Sequence, residues 1–152
     1  MVRILGSIIT LIKLNKAGVL DLLFKLFNRV YLPVGVQEEC LDESIKQAIK
    51  APFFEVRKVK NILLLGMGKG EREAISLAIE LKAETLLTDD EKAGQKALKL
   101  GLSALDTTQI LILAKDANLI DSVRFLLDKM RAAGEGIEDD IYFETLRLAN
   151  EI

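Results

Sequence analysis

The sequence predicts an α/β fold in which a central parallel sheet carries helices on both faces. Short apolar segments alternate along the chain with longer amphipathic segments, as strands and helices do in such folds. The chain has 152 residues, of which 50% are hydrophobic and 29% are charged, so it is long enough for one domain with a substantial core. We therefore expect residues 1–152 to form a single domain.

Apolar periodicity and helix-breaking residues predict the individual elements. Ser7 caps the first helix and Gly18 ends it, while Pro52 ends the third helix and Gly101 the fifth. Strands are predicted at residues 2–5, 30–32, 53–59, 85–87 and 102–105, with 53–59 at an edge because its apolar and charged residues alternate. After the first helix, others are predicted at residues 19–27, 34–51, 71–81, 92–100, 108–116, 120–133 and 139–150. The last three are expected to form a cap or a dimer surface, and the apolar loop 62–65 to pack over the core.

Composition excludes several classes of function. The chain contains no histidine, which removes Ser-His-Asp triads, imidazole proton shuttles and zinc sites of the Cys/His type. The formal net charge of −2 provides no global basic field, so nucleic-acid binding would need a local patch or bridging metal ions. No apolar run approaches the roughly 20 residues that a bilayer span needs. The single cysteine, Cys40, fits a buried packing role and the reducing cytoplasm.

Two carboxylates, Glu71 and Asp89, are predicted to reach the same edge of the sheet. Glu71 starts a helix, and Asp89 follows the strand at residues 85–87, so both lie near the carboxyl edge where ligands bind in open α/β sheets. Two acids brought together repel each other unless a cation or a shared proton compensates. The pattern therefore indicates a site for a hard divalent metal. The alternative is that Glu71 only interacts with the helix dipole and that Asp89 is a turn or cap residue.

Five segments, in their order along the chain, resemble the PIN-like proteins. These are Pro-Val-Gly-Val-Gln-Glu-Glu at 33–39, Gly-Lys-Gly-Glu-Arg-Glu-Ala-Ile-Ser-Leu-Ala at 68–78, Leu-Leu-Thr-Asp-Asp at 86–90, Lys-Leu-Gly-Leu at 99–102 and Ile-Leu-Ile-Leu-Ala-Lys at 110–115. The resemblance covers nearly the whole chain. It is closest to a prokaryotic branch of uncharacterised PIN-like nucleic-acid-binding proteins, which are relatives of the VapC-type toxin ribonucleases.

The resemblance implies a three-layer α/β/α sandwich and, in active members, cleavage of single-stranded RNA with Mg²⁺ or Mn²⁺ held by acids. By position, the acids of the family fall on Glu39 (Glu38 in the alternative register), Glu71 and Asp89, with Asp90 as a neighbouring metal ligand. The resemblance also implies a homodimer and, for a toxin-type protein, an antitoxin-like partner.

The chain departs from the family pattern at the first strand. Family members carry an Asp at the end of that strand, but the alignment places Ile4 there, and no carboxylate precedes Asp21. Key electrostatic groups of active sites are worth roughly 10²-fold or more in rate, so the loss of this acid predicts a degenerate site with weak or lost activity. Asp106, after a later strand, is either a further acid at the same edge or a surface residue.

Three lysines are candidates for binding the RNA backbone. Lys69 lies near the predicted site, and Lys92 and Lys96 lie on the helix that follows the acids. The alternative for the helix is a solvated face, which we also expect around Glu73 and Glu80. Two further classes of function stay open: a non-catalytic module that binds RNA or protein, and a subunit of the toxin–antitoxin type that binds its partner through the C-terminal helices.

Overall fold

The computed structural model of the protein describes residues 3–39, 42–63 and 66–152, without the side chains of Gln37 and Glu39. In this part of the chain, five parallel strands form one sheet in the order β3-β2-β1-β4-β5. The strands are β1 (Ile4–Leu5), β2 (Val30–Pro33), β3 (Phe54–Arg57), β4 (Thr85–Leu87) and β5 (Ser103–Leu105). The predicted parallel sheet is confirmed, and β3 lies at its edge as the alternating sequence indicated.

Nine helices accompany these strands in the described ranges. They are α1 (Ile8–Lys16), α2 (Leu22–Phe27), α3 (Val34–Glu39), α4 (Glu43–Ala48), α5 (Lys69–Glu80), α6 (Glu91–Lys99), α7 (Thr107–Asp116), α8 (Val123–Ala132) and α9 (Asp139–Leu148). Within residues 3–39, 42–63 and 66–152, every helix is too short or too polar to span a lipid bilayer.

The sheet separates two layers of helices because successive strand residues point to opposite faces. Ile4 and Leu87 belong to a large core cluster that they share with α1, α2, α4, α7, α8 and α9. Leu5 and Leu86, the neighbours of those residues, belong to a smaller cluster on the other face with α5 and α6. This arrangement confirms the predicted α/β/α sandwich.

The three C-terminal helices cover one face of the sheet. Leu127, Met130 and Leu146 are fully buried in the larger core cluster, whereas Phe125 and Phe143 remain 62% and 50% exposed. The helices α7, α8 and α9 therefore form part of that layer and still present apolar side chains to solvent.

Two local predictions are corrected. The single helix predicted at 34–51 is divided into α3 and α4, because Asp42 is extended and its side chain accepts a hydrogen bond from the backbone N–H of Ile45, which begins a new helix. The apolar loop at 62–65 was expected to pack over the core. Ile62 and Leu63 are instead 47% and 38% exposed, and residues 64 and 65 lie outside the described ranges.

The strand order creates a switch point between β1 and β4. The chain builds β1, β2 and β3 outward in one direction, and then returns to the other side of β1 for β4 and β5. In open parallel sheets, ligands bind beyond the carboxyl ends of the strands where the direction of winding reverses. The segments that follow β1, β2 and β4 are therefore the ones to inspect for a site.

Candidate functional site

A cavity of about 150 Å³ opens at this switch point. Its lining comes from the segments that leave three neighbouring strands and from the start of α5: Ser7, Ile8, Ile9, Val36, Gly70, Glu71, Ala74, Leu86, Thr88, Asp90 and Ala93. The polar groups of this lining are the carboxylates of Glu71 and Asp90 and the hydroxyls of Ser7 and Thr88. The remaining lining is mainly apolar. We call this space the switch-point cavity.

Glu71 lies in the first turn of α5. Its carboxylate folds back over the helix start, since a Cβ atom added to Gly68 would lie 2.7 Å from Glu71 Oε2. The glycine therefore leaves the space that the carboxylate occupies. The position suits a negative charge because the N-terminal end of a helix carries a partial positive charge. The same carboxylate lines the cavity, so this favourable position and a ligand role are compatible.

Asp90 is the N-cap of α6. Its Oδ1 accepts a hydrogen bond of 3.0 Å from the backbone N–H of Ala93, and its own N–H donates to Thr88 Oγ1 at 3.1 Å. No described residue donates a hydrogen bond to the other carboxylate oxygen of Asp90. The cap therefore fixes the carboxylate through one oxygen and leaves the second available to a cation in the switch-point cavity.

Asp89, the neighbour of Asp90, does not line the switch-point cavity. It lines a second cavity of about 320 Å³ together with Lys13 and Thr107. Asp89 Oδ1 accepts hydrogen bonds from Thr10 Oγ1 at 2.8 Å and from the backbone N–H of Thr107 at 3.0 Å, and Thr107 Oγ1 lies 2.9 Å from both carboxylate oxygens. Lys13 Nζ lies 2.9 Å from Asp89 Oδ2. Both oxygens of Asp89 therefore already have donors within the protein.

The first strand contributes no acid to the site. Ile4, which takes the place of the family Asp, is 1% exposed, and Leu5 is fully buried. Glu39 ends α3, but its side chain lies outside the described part of the structure, so the prediction for this residue stays a prediction. Among the described residues, no group of three or more acids or cysteines is arranged to hold a metal ion.

Glu71 and Asp90 remain as a candidate pair of ligands for a hydrated ion. Mg²⁺ is usually bound through one or two carboxylates and keeps several of its waters. The carboxylates that line the switch-point cavity meet that requirement in number and in chemical type. The structure thus places Glu71 and Asp90 along the switch-point cavity. Asp89 shares a neighbouring pocket of about 530 Å³ with Asp90, but its oxygens are already engaged by donors within the protein.

The predicted RNA-binding lysines lie outside the cavity. Lys92 and Lys96 line a groove of about 220 Å³ together with Lys99 on α6 and with the loop residue Met67. Lys69 is 56% exposed and lies 3.9 Å from Glu73 Oε1. The three lysines of α6 thus share one groove.

Glu73 differs from its sequence-based description, whereas Asp106 lines the second cavity with Asp89, as the alternative of a further acid at the same edge expects. Glu73 was expected on a solvated face but is only 6% exposed, because it packs against Gly35, where a Cβ atom would lie 2.1 Å from Glu73 Oε2. Asp106 is the N-cap of α7 and forms a reciprocal capping box with Gln109. The signal for Asp106 was in the sequence, since an acid followed by Gln three residues later is the pattern of such a cap.

Lys13, Thr10 and Thr107 were missed as partners of Asp89. Thr10 is separated from Asp89 by 79 residues and Thr107 by 18 residues. No local pattern connects residues so far apart. Only the folded order of the strands brings the end of β4 beside α1 and the start of α7.

Comparison with known proteins identifies a family and a similar fold. A family model described as the PIN domain matches residues 9–151 of the chain. The fold is similar to that of a PilT N-terminus domain protein from the hyperthermophilic archaeon Sulfolobus solfataricus P2. That match has a TM-score of 0.54 and 19% sequence identity, and it covers 71% of this chain and 89% of the other. At this identity the match is evidence for the fold alone. No curated protein matches the chain.

Proposed function

Since the chain belongs to the PIN domain family, we propose that it is a metal-dependent endoribonuclease that cleaves single-stranded RNA slowly, with a reduced set of acids. The observation that carries this proposal is the switch-point cavity, where Glu71 and Asp90 line one small space beyond the carboxyl ends of the strands. This is the place where the topology of the sheet favours ligand binding.

In this proposal, Glu71 and Asp90 hold one Mg²⁺ or Mn²⁺ ion, and Glu39 is the third candidate ligand by its position in α3. A bound ion of this kind lowers the pKa of its water and stabilises negative charge on phosphate oxygens. The cap of α6 orients Asp90, and the space over Gly68 accommodates the carboxylate of Glu71. These fixed positions lower the entropic cost of binding the ion.

The lysine groove on α6 supplies the proposed contact with the RNA backbone. Lys92 and Lys96 lie on the helix that Asp90 caps, so the groove and the cavity are connected by one rigid element. Exposed ammonium groups attract phosphates without reading sequence. Lys69, at the start of α5, is the proposed contact nearest to Glu71.

The proposed activity is slow because acids are lacking or already engaged. Ile4 replaces the carboxylate that the family carries on the first strand, and Asp89 already has donors on both of its oxygens. An ion held by fewer carboxylates is bound more weakly, so we expect it to need millimolar Mn²⁺ or Mg²⁺.

The test is cleavage of an unstructured RNA in the presence of Mn²⁺. We expect slow cleavage by the native chain, and a loss of about 10²-fold or more in Glu71→Gln and in Asp90→Asn. Glu91→Gln is the matched control, because Glu91 is an exposed acid next to Asp90 that lines the second cavity instead. If Glu71→Gln and Asp90→Asn leave the cleavage rate intact, the activity belongs to another site or to a contaminant.

A second candidate function is a non-catalytic RNA-binding module on the same scaffold. The observation in its favour is that Lys13 already neutralises Asp89 and that Ile4 supplies no acid. This alternative expects RNA binding that needs the lysines of α6 and no RNA cleavage at any concentration of Mn²⁺. The cleavage assay therefore separates the two functions directly.

The proposed protein partner is a second copy of the chain or an antitoxin-like protein. In support, Phe125 of α8 and Phe143 and Leu148 of α9 are 62%, 50% and 54% exposed. Large apolar side chains exposed in this way are typical of surfaces that bind other proteins. A cytoplasmic location, as the lone cysteine indicated, remains part of the proposal.

A further inference from the structure

The ammonium group of Lys13 is a cation within the protein that pairs with Asp89 at this edge of the sheet. Lys13 Nζ lies 2.9 Å from Asp89 Oδ2, and the two side chains are only 19% and 10% exposed. At this exposure the charges are poorly screened by water and salt. The pair therefore differs from a surface ion pair, which is worth little and exchanges readily with ions in solution.

The remaining donors to Asp89 come from two other elements. Thr10 of α1 and Thr107 at the start of α7 both donate to the carboxylate. Together with Lys13, they join α1, the end of β4 and the start of α7 around one side chain. A carboxylate held by several donors and an ammonium group resists giving up an oxygen to an external ion, because each donor would lose its partner.

The acids Asp89 and Asp90 thereby differ in their partners and in the cavities they line, although both also line a third pocket of about 530 Å³. Asp90 lines the switch-point cavity with Glu71, whereas Asp89 lines the second cavity, where Lys13 is the only basic residue among those that line it. Both oxygens of Asp89 already have donors, whereas one oxygen of Asp90 has none among the described residues, so the two carboxylates are not equally available to one ion.

We propose that Lys13 is a positioning residue that acts as a permanent cation for Asp89, and that it directs an incoming divalent ion to the cavity lined by Glu71 and Asp90. The choice of that cavity rests on the proposed function. The pairing of Asp89 with the ammonium group of Lys13 does not depend on the proposed function, since it follows from the contacts of Asp89 alone.

The first arm of the test measures Mn²⁺ binding to the native chain and to single variants by calorimetry. We expect Asp90→Asn to weaken binding by on the order of tenfold or more. Asp89→Asn should weaken binding much less than Asp90→Asn, because the oxygens of Asp89 are already held by Lys13 and the two threonines, while lowering the unfolding temperature. An equal loss of affinity in Asp89→Asn and Asp90→Asn would overturn the proposal.

The second arm removes the internal cation and reads thermal unfolding with and without millimolar Mn²⁺. In Lys13→Met the carboxylate of Asp89 lacks its counter-charge, so Mn²⁺ should raise the unfolding temperature by a few degrees more than in the native chain. The additional rise should disappear in Lys13→Met combined with Asp89→Asn. Lys16→Met is the matched control, because Lys16 lies on the same helix and pairs with Glu135 instead.

If the native chain binds no Mn²⁺, only the proposed function fails. The second arm still tests the role of Lys13, because it compares the variants with one another. If Lys13→Met does not fold, Lys13→Gln keeps a hydrogen-bond donor for Asp89, removes the charge and is expected to show the same additional Mn²⁺ response. If Mn²⁺ raises the unfolding temperature of a folded Lys13 variant no more than that of the Lys16→Met control, the proposal is wrong. Lys13 is then not the cation that keeps Mn²⁺ from Asp89.

Discussion

Gly35 and Glu73 show how tightly the edge of the switch-point region is packed. Glu73 is buried on α5, and its carboxylate occupies the space into which a side chain at position 35 of α3 would project. A glycine is therefore required at position 35 because of this close approach, and not because of an unusual backbone angle. The contact joins two of the helices that follow strands at the carboxyl edge.

We predict that Gly35→Ala destabilises the protein by about 1 to 3 kcal/mol, because the new Cβ overlaps the carboxylate of Glu73. Urea unfolding measures the change. Gly94→Ala is the matched control: its Cβ would lie 3.8 Å from the nearest side chains, and alanine is favoured in a helix by up to about 1 kcal/mol. Adding Glu73→Ala should relieve most of the effect, and the absence of any relief would contradict the proposed overlap.

At the same scale, the sequence predicted the presence of acids at the carboxyl edge but not which of them share a space. Spacing placed Glu71 and the Asp89–Asp90 pair correctly after a helix start and a strand end. The direction of each side chain depends on the strand register and on partners such as Lys13 and Thr107, which are distant in sequence. A pattern of residue types carries no information about those contacts.

Among the helices, α8 depends on a carboxylate that follows α9. Glu151 accepts hydrogen bonds from the backbone N–H groups of Val123 and Arg124, from Ser122 Oγ and from Lys115 Nζ. One side chain thus satisfies the amides at the start of α8 and connects it to α7 and to the end of the chain. Unpaired amides at a helix start would otherwise need water.

The pKa of Glu151 predicts the pH dependence of this connection. Burial raises the pKa, but the donors from Arg124, Val123, Lys115 and Ser122 together lower it below its ordinary value of 4.5. A carboxyl group with a depressed pKa in the folded state contributes stability above its unfolded pKa and loses it as the pH falls through the folded pKa. The contribution should therefore be complete near pH 7 and should decline below about pH 4.5.

We expect Glu151→Gln to lower the free energy of unfolding at pH 7 by about 1 to 3 kcal/mol, since hydrogen bonds to a charged group are lost. The difference from the native chain should narrow as the pH falls below about 4.5, measured by urea unfolding across the pH range. Glu144→Gln, which removes an exposed partner of Arg147 on α9, serves as the control and should have little effect. A difference that does not change with pH would show that Glu151 acts through packing and not through its charge.

The elements themselves were largely predictable, because most begin or end at residues whose chemistry is local. Ser7, Gly68 and Gly101 stand at or beside predicted boundaries that the structure reproduces within a few residues. The division of residues 34–51 into α3 and α4 was missed, since the apolar periodicity continued across Asp42 and hid its role as a cap. Propensity alone does not show whether a helix continues past an internal cap.

At the scale of the whole molecule, the all-parallel sheet was predictable from the alternation of strands and helices. The order of its strands was not, because sequence gives no direct sign of the reversal between β3 and β4. That reversal creates the switch point at which the cavity lined by Glu71 and Asp90 opens. The sequence therefore predicted the edge of the sheet at which the acids lie. It did not predict which of these acids line a common cavity, because that depends on the strand order.

The oligomeric state is also a property of the whole molecule. We predict a homodimer in solution through the exposed apolar residues of α8 and α9, measured by size-exclusion chromatography with light scattering. Phe143→Asp should shift the protein toward the monomer, because a charge is costly to bury at an interface. Phe24→Asp is the control, since Phe24 is similarly exposed, at 47%, but lies on α2, outside the proposed interface. A native chain that is monomeric at all concentrations would exclude the dimer.

The central claim is that Glu71 and Asp90 together bind a divalent ion at the switch point of the sheet. Calorimetric titration of the native chain with Mn²⁺ tests it most directly, with Glu71→Gln, Asp90→Asn and the control Glu91→Gln titrated in parallel. We expect weak, saturable binding to the native chain and to Glu91→Gln, and its loss in the other two variants. A native chain that binds no Mn²⁺ at millimolar concentration, or a Glu71→Gln variant that binds it equally well, would exclude an ion held by Glu71 and Asp90.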